Sequence, residues 1–176
     1  MYMSETGKNI RYNDPAMPGY DPSWPVTEWM GALNNYNTLG QLRLCPATHE
    51  QSPLQSQDLP GNANTEWDFG SVVTPPMSGS YGFNGWLYSY APAPDFNSAL
   101  TFPAFLFHNP ESIQKPSQTP VFFDADYIEA EPIESDPPAT DLYTGKAVNT
   151  PGMQRCTIWR HGGKTVSVSY RFSGPK

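Results

Sequence analysis

Over 176 residues the chain sets ten Lys and Arg against seventeen Asp and Glu, a formal net charge of -7. That excludes the broad cationic face a phosphate backbone requires, so nucleic acid is not an expected partner. Twenty prolines and fourteen glycines exclude long helices and long central strands over much of the length, because each proline fixes φ and removes a backbone donor. Aromatic residues reach 14% while all hydrophobic residues reach only 38%, which excludes disorder and points to one domain, residues 1–176, with a core of Trp, Tyr and Phe.

In chain order, Met1 to Ile10 reads as the tail of a helix ending near Gly7, and Arg11 to Pro25 as loop. Val26 to Tyr36 is the best short helix, with Thr27 as cap and Trp29, Leu33 and Tyr36 at helical spacing. Leu42 to Pro46 is expected as a short strand stopped by its proline, and Thr48 to Asn64 as loop. Gly79 to Tyr90 carries β-forming aromatics with a bulge or turn expected at Asn84-Gly85. Ala91 to Asn109 is apolar but broken by prolines, with Phe102, Phe105, Leu106 and Phe107 expected to plug the core. Pro120 to Asp124 is a compact strand.

Ala125 to Gly152 then reads as an acidic, proline-rich loop of about 28 residues, a length that suggests a binding or assembly surface. The C-terminus reads as a hairpin over 155–172. Arg155 to Arg160 forms the first strand, His161-Gly162-Gly163-Lys164 the turn, and Thr165 to Phe172 the second strand. In that second strand Val166, Val168, Tyr170 and Phe172 alternate with polar partners, placing one face on the core. Arg155, Arg160, Lys164 and Arg171 are expected on its solvated face.

Cys45 and Cys156 are the two cysteines, and their even count and wide spacing suit one disulfide in an exported protein. Such a bond closes a loop of roughly 110 residues and contributes on the order of 4 to 5 kcal/mol in the chain-entropy reading. Two buried free thiols are the alternative. Nucleophile-elbow, phosphate-loop and dinucleotide motifs do not occur, and His49, His108 and His161 lack metal-binding spacing, so no catalysis is expected.

Asp124, Asp126, Glu129 and Glu131 read first as a strand end and acidic loop whose carboxylates accept backbone donors. A calcium ion held by Asp124, Asp126 and loop carbonyls comes next, since hard oxygen ligands suit it, and a glycosidase pair comes last. His161 reads as an exposed turn histidine or one bonded to a nearby loop, with a pH-responsive or metal role behind that. No apolar run has the length of a membrane span, and no signal-peptide pattern opens the chain.

Four stretches in order resemble one family. They are Tyr2 to Gly7; Leu42 to Ala47 (LRLCPA); Ser80 to Trp86 (SYGFNGW); and Pro116 to Ala125 followed at a distance by Arg160 to Lys164 (RHGGK). Together they are similar to the type IV pilin-like and pseudopilin-like proteins of Planctomycetes and Verrucomicrobia that carry an H-X9-DG motif. The likeness spans nearly the whole chain. It makes His161, Gly162 and Gly163 the motif residues, but Arg171-Phe172 stands where Asp-Gly is expected, with Ser173-Gly174 shifted behind it.

The resemblance implies an α+β, β-rich head with a small antiparallel sheet, a short N-terminal helical segment and long ordered loops. It implies a non-catalytic subunit of a pilus-like filament or type II secretion-like pseudopilus, extracellular, at the cell surface or periplasmic. Its partners would be copies of itself or other pilin-like subunits. The membrane would be met only through an N-terminal apolar helix, which this sequence lacks. Calcium at Asp124 and Asp126 is the one cofactor the resemblance leaves room for. The rival is a secreted carbohydrate-binding module using Trp24, Trp29, Trp67, Trp86 and Trp159; aromatics exposed in a row favour it, and aromatics sunk in one core count against it.

Overall fold

The computed structural model describes residues 10, 29–33, 41–49, 60–68, 77–88, 106–107, 110–145, 152–156 and 158–161. These build a mixed α+β arrangement of two small sheets and a few short helices. Strand β1 (Trp67–Asp68) pairs antiparallel with β2 (Ser78–Gly79). Strand β3 (Tyr81–Asn84) is the centre of a second sheet, between β4 (Phe122–Asp124) and β5 (Glu129–Ala130). The β3–β4 pair is antiparallel with Tyr81 opposite Asp124, whereas the β3–β5 pair is parallel with Phe83 opposite Glu129. The second sheet is therefore mixed rather than purely antiparallel. Among the described residues no helix is long and apolar enough to cross a membrane.

Local chemistry explains the sheet. Pro120, which cannot donate, precedes β4, and β4 lies on the sheet edge where a missing donor costs least. Gly82 in the middle of β3 lets the chain after β4 cross close by: a Cβ there would stand 2.7 Å from the Ala125 methyl and 2.9 Å from the Tyr127 carbonyl oxygen. Asn84 ends β3 as expected. Its side-chain oxygen accepts from the Trp86 amide at 3.2 Å, capping the 3-10 turn Gly85–Leu87, while its amide donates to the Pro120 carbonyl at 3.0 Å.

The core is aromatic, as the composition implies. Trp29, Trp67, Phe83, Tyr88 and Tyr127 cluster with Ile10, Met30, Met77, Leu87 and Ile128, and Leu33, Phe107 and Ile113 pack against them. Both buried indoles keep their N–H satisfied, Trp29 donating to the Ile128 carbonyl at 2.8 Å and Trp67 to that of Tyr81 at 3.2 Å. Phe122 meets Trp29 and Phe83 edge-on, with ring centroids 5.1 and 5.4 Å away. The described part of the expected first helix, Trp29–Leu33, is helical.

Three sequence expectations are corrected. Gln41–Arg43 is a 3-10 turn rather than the start of a strand, so that the Arg43 carbonyl can accept from the Ser80 amide at 2.8 Å. Arg155 and Cys156 close a short helix, Gly152–Cys156, instead of opening a hairpin strand, and 158–160 are irregular. The Asp126 amide bonds the Arg155 carbonyl at 3.0 Å, and the Trp159 amide bonds that of Leu142 at 2.8 Å, so this segment is held by loops. The expected second strand, 165–172, and the turn residues Gly162 and Gly163 lie outside the described residues, as do Phe102 and Phe105. The acidic stretch after β4 is not structureless, because it contributes β5.

Candidate functional site

Beside the start of β3, three segments distant in sequence bring Cys45, Asp124 and His161 together. Cys45 follows the 3-10 turn and is buried, its amide held by the Ser80 hydroxyl at 2.5 Å. Asp124 ends β4, opposite Tyr81. His161 follows the buried Arg160 and is itself largely exposed, with 62% of its side chain accessible. Its Nε2 lies 3.1 Å from Asp124 Oδ2 and 3.5 Å from Cys45 Sγ. All three donor atoms fall within 4.8 Å of one another. Burial first, then the neighbouring Cys45 and Asp124, push the Tyr81 hydroxyl above its ordinary pKa.

This is not a Cys-His-Asp relay. A relay uses both ring nitrogens, one on the nucleophile and the other on the carboxylate. Here sulfur and carboxylate both address Nε2, so the three groups converge on a point instead of forming a line. Convergence of a thiol, a carboxylate and an imidazole nitrogen is an arrangement that can hold a metal ion.

Arg160 lies under this group, nearly fully buried. Its Nη1 donates to Asp124 Oδ1 at 3.2 Å and to the Ser80 carbonyl, while Nη2 donates to the carbonyls of Asn62 and Ala125, both at 3.1 Å. The sequence expectation of a solvated basic face is therefore wrong for Arg160: the planar guanidinium is spent on backbone oxygens of three segments and one carboxylate. Arg155 is also engaged, stacked over the Tyr127 ring at 4.9 Å, donating to the Glu129 carbonyl at 3.3 Å and standing 3.8 Å from Glu131 Oε2.

The other acids turn inward. Asp126 is fully buried, and among the described residues neither of its oxygens has a hydrogen-bond partner. It lies beneath Gly145, whose φ of 56° and missing side chain leave room for the carboxyl. Burial pushes Asp126 up to about 8 despite the opposing charge of Arg155. Glu129 is raised well above its ordinary value, by burial and then by neighbouring Glu131, and Glu131 is raised by burial. Asp124 and Asp126, paired in the sequence reading as calcium ligands, thus have different neighbours: Arg160 and His161 for one, the Gly145 backbone for the other.

The expected Cys45–Cys156 disulfide is corrected. Both are free thiols, and the two residues are not close. Cys45 faces His161, whereas Cys156 ends its helix with the thiol turned back on the carbonyls of Gly152 and Met153, at 3.5 and 3.4 Å. Burial pushes the Cys156 thiol up to about 12. Sequence spacing could not reveal this, because it carries no information on which way either side chain faces. The role of Arg160 was missed for a related reason: a lone arginine in a basic run gives no sign of burial.

Comparison with protein-family models, with curated proteins and with solved structures returns no match.

Proposed function

We propose that this chain is the outward-facing, non-catalytic head of a structural subunit in an extracellular or periplasmic pilus-like filament or type II secretion-like pseudopilus. The supporting observation is where the resembling stretches lie. Cys45 of LRLCPA, Ser80 of SYGFNGW, Asp124 and Ala125 after PVFF, and Arg160-His161 are bonded into one joint. Residues that carry a family likeness and are used up in tying segments together serve architecture rather than turnover.

The surface near that joint agrees with a subunit that packs on neighbours. Leu42, Val121, Phe122 and Trp159 are exposed although each is within three residues of Cys45, Asp124 or Arg160. Large apolar side chains left open to solvent give neighbouring subunits something to pack against. The carbohydrate-binding reading has less behind it. Trp29 and Trp67 are in the core and Trp86 donates to the Pro132 carbonyl at 2.8 Å, leaving Trp159 the one largely exposed tryptophan among the described residues. A single exposed ring is not a sugar-stacking row.

The test is mechanical shearing of cells that make the protein. The filament reading expects it to sediment with the sheared filaments. Recovery only in the soluble or cell-body fraction, from cells whose filaments are present in the sheared fraction, would count against it.

A further inference from the structure

In the Cys45–Asp124–His161 group a thiol and a carboxylate converge on one imidazole nitrogen. Zinc typically sits about 2.3 Å from sulfur and about 2.0–2.2 Å from nitrogen or oxygen, in a tetrahedral arrangement. Two ligands on such an ion are therefore roughly 3.5 Å apart for sulfur and nitrogen, and roughly 3.3 Å for nitrogen and oxygen. The protein places Sγ and Nε2 3.5 Å apart and Nε2 and Oδ2 3.1 Å apart. Two of the three edges are already close to those of a tetrahedron, and the sulfur and carboxylate lie within 4.8 Å of each other.

Chemistry narrows the ion. A thiolate and an imidazole are soft to borderline donors and disfavour calcium and magnesium, which take oxygen ligands. Thiolate, carboxylate and neutral imidazole carry two negative charges together, matching a divalent cation. Arg160 grips Asp124 by Oδ1, leaving Oδ2 directed at His161. A ligand carboxylate fixed through its other oxygen is the outer support that metal sites commonly use. Cys45 closes the inner side and the exposed His161 stands at the solvent edge, which gives an ion a way in.

We infer that Cys45 Sγ, Asp124 Oδ2 and His161 Nε2 form a three-ligand site for a divalent transition metal of the zinc class, its fourth position taken by water or another oxygen donor. The metal clamps the segment entering at His161 onto β4 and the turn at Cys45. This inference is independent of the filament reading, since it is decided on the isolated chain.

The full 176-residue chain, chelator-treated and kept reduced, is titrated with cobalt(II) chloride and then with zinc chloride. The expected result is one equivalent of cobalt bound, with the intense visible absorption of a tetrahedral site and a thiolate-to-cobalt charge-transfer band in the near ultraviolet, both abolished by zinc. Cys45→Ser removes the charge-transfer band and Cys156→Ser leaves it. His161→Gln alters an exposed side chain, so folding is retained, and it weakens cobalt binding by at least about 100-fold, the upper end of what losing a mere outer partner costs. The inference is overturned if the wild type gives no charge-transfer band, if His161→Gln binds as the wild type does, or if the band follows Cys156 instead of Cys45.

Discussion

Arg160 Nη1 lies 3.2 Å from Asp124 Oδ1 across 36 positions of sequence, with the arginine side chain buried and the carboxylate about a quarter exposed. Coulomb attraction alone does not stabilise such a pair, because burying a guanidinium costs several kcal/mol. The cost is offset by the four acceptors that engage Nη1 and Nη2, three backbone carbonyls besides the carboxylate, while Nε has no hydrogen-bond partner among the described residues. A lysine offers a point charge and cannot reach acceptors lying in several directions at once. Arg160→Lys is therefore expected to destabilise the fold by about 3 kcal/mol, within the 3–5 kcal/mol range for breaking a buried charged network. Urea unfolding followed by tryptophan fluorescence measures it; a loss under about 1 kcal/mol contradicts the role given to the planar group.

The inward acids make stability depend on pH in an unusual direction. Asp126 has a folded pKa of about 8 against an ordinary 3.8, so between those values the folded state holds a proton that the unfolded state has released. Its contribution is fully present below the unfolded value and is lost as pH rises through the folded one, at about 1.4 kcal/mol per pH unit. Glu129 and Glu131 act in the same sense. Asp126→Asn keeps the neutral form at every pH and should flatten the decline between pH 5 and 8 by about that slope. Thermal unfolding of both proteins across that range checks it, and parallel curves would contradict a neutral Asp126.

The free thiols give a third expectation. Cys45 is buried, and burial holds the Cys156 thiol in its protonated, unreactive form near neutral pH. Alkylation without reductant should add two labels per chain after unfolding and label the native chain only slowly. A mass showing no added label after unfolding would demonstrate the disulfide instead.

Some of this was legible in the sequence and some was not, for reasons that differ by element. The strand at Phe122–Asp124 and the turn at Asn84-Gly85 follow from local chemistry: β-forming aromatics after a proline, and an amide side chain that can cap the next turn of backbone. The aromatic core follows from composition. By contrast, β5 consists of Glu129-Ala130, two residues with no β preference, and exists because the Phe83 amide finds the Ile128 carbonyl at 2.9 Å. The helix Gly152–Cys156 replaced an expected strand because the tertiary contacts of Arg155 with Tyr127 and Glu129 outweigh the β-branched residues that come after it. At the candidate site, Asp124 and His161 could each be marked as polar residues at element ends. Their meeting with Cys45 depends on long-range packing that no local pattern encodes.

The central structural claim is that Arg160 and Asp124 act as one joint between segments, and a double-mutant cycle tests it most directly. Arg160→Gln, Asp124→Asn and the double variant would be unfolded in urea under identical conditions. A coupling energy above about 1 kcal/mol is predicted, because each single change strands the other partner. Effects that add to within about 0.3–0.5 kcal/mol would mean that the two side chains are neighbours without being a joint.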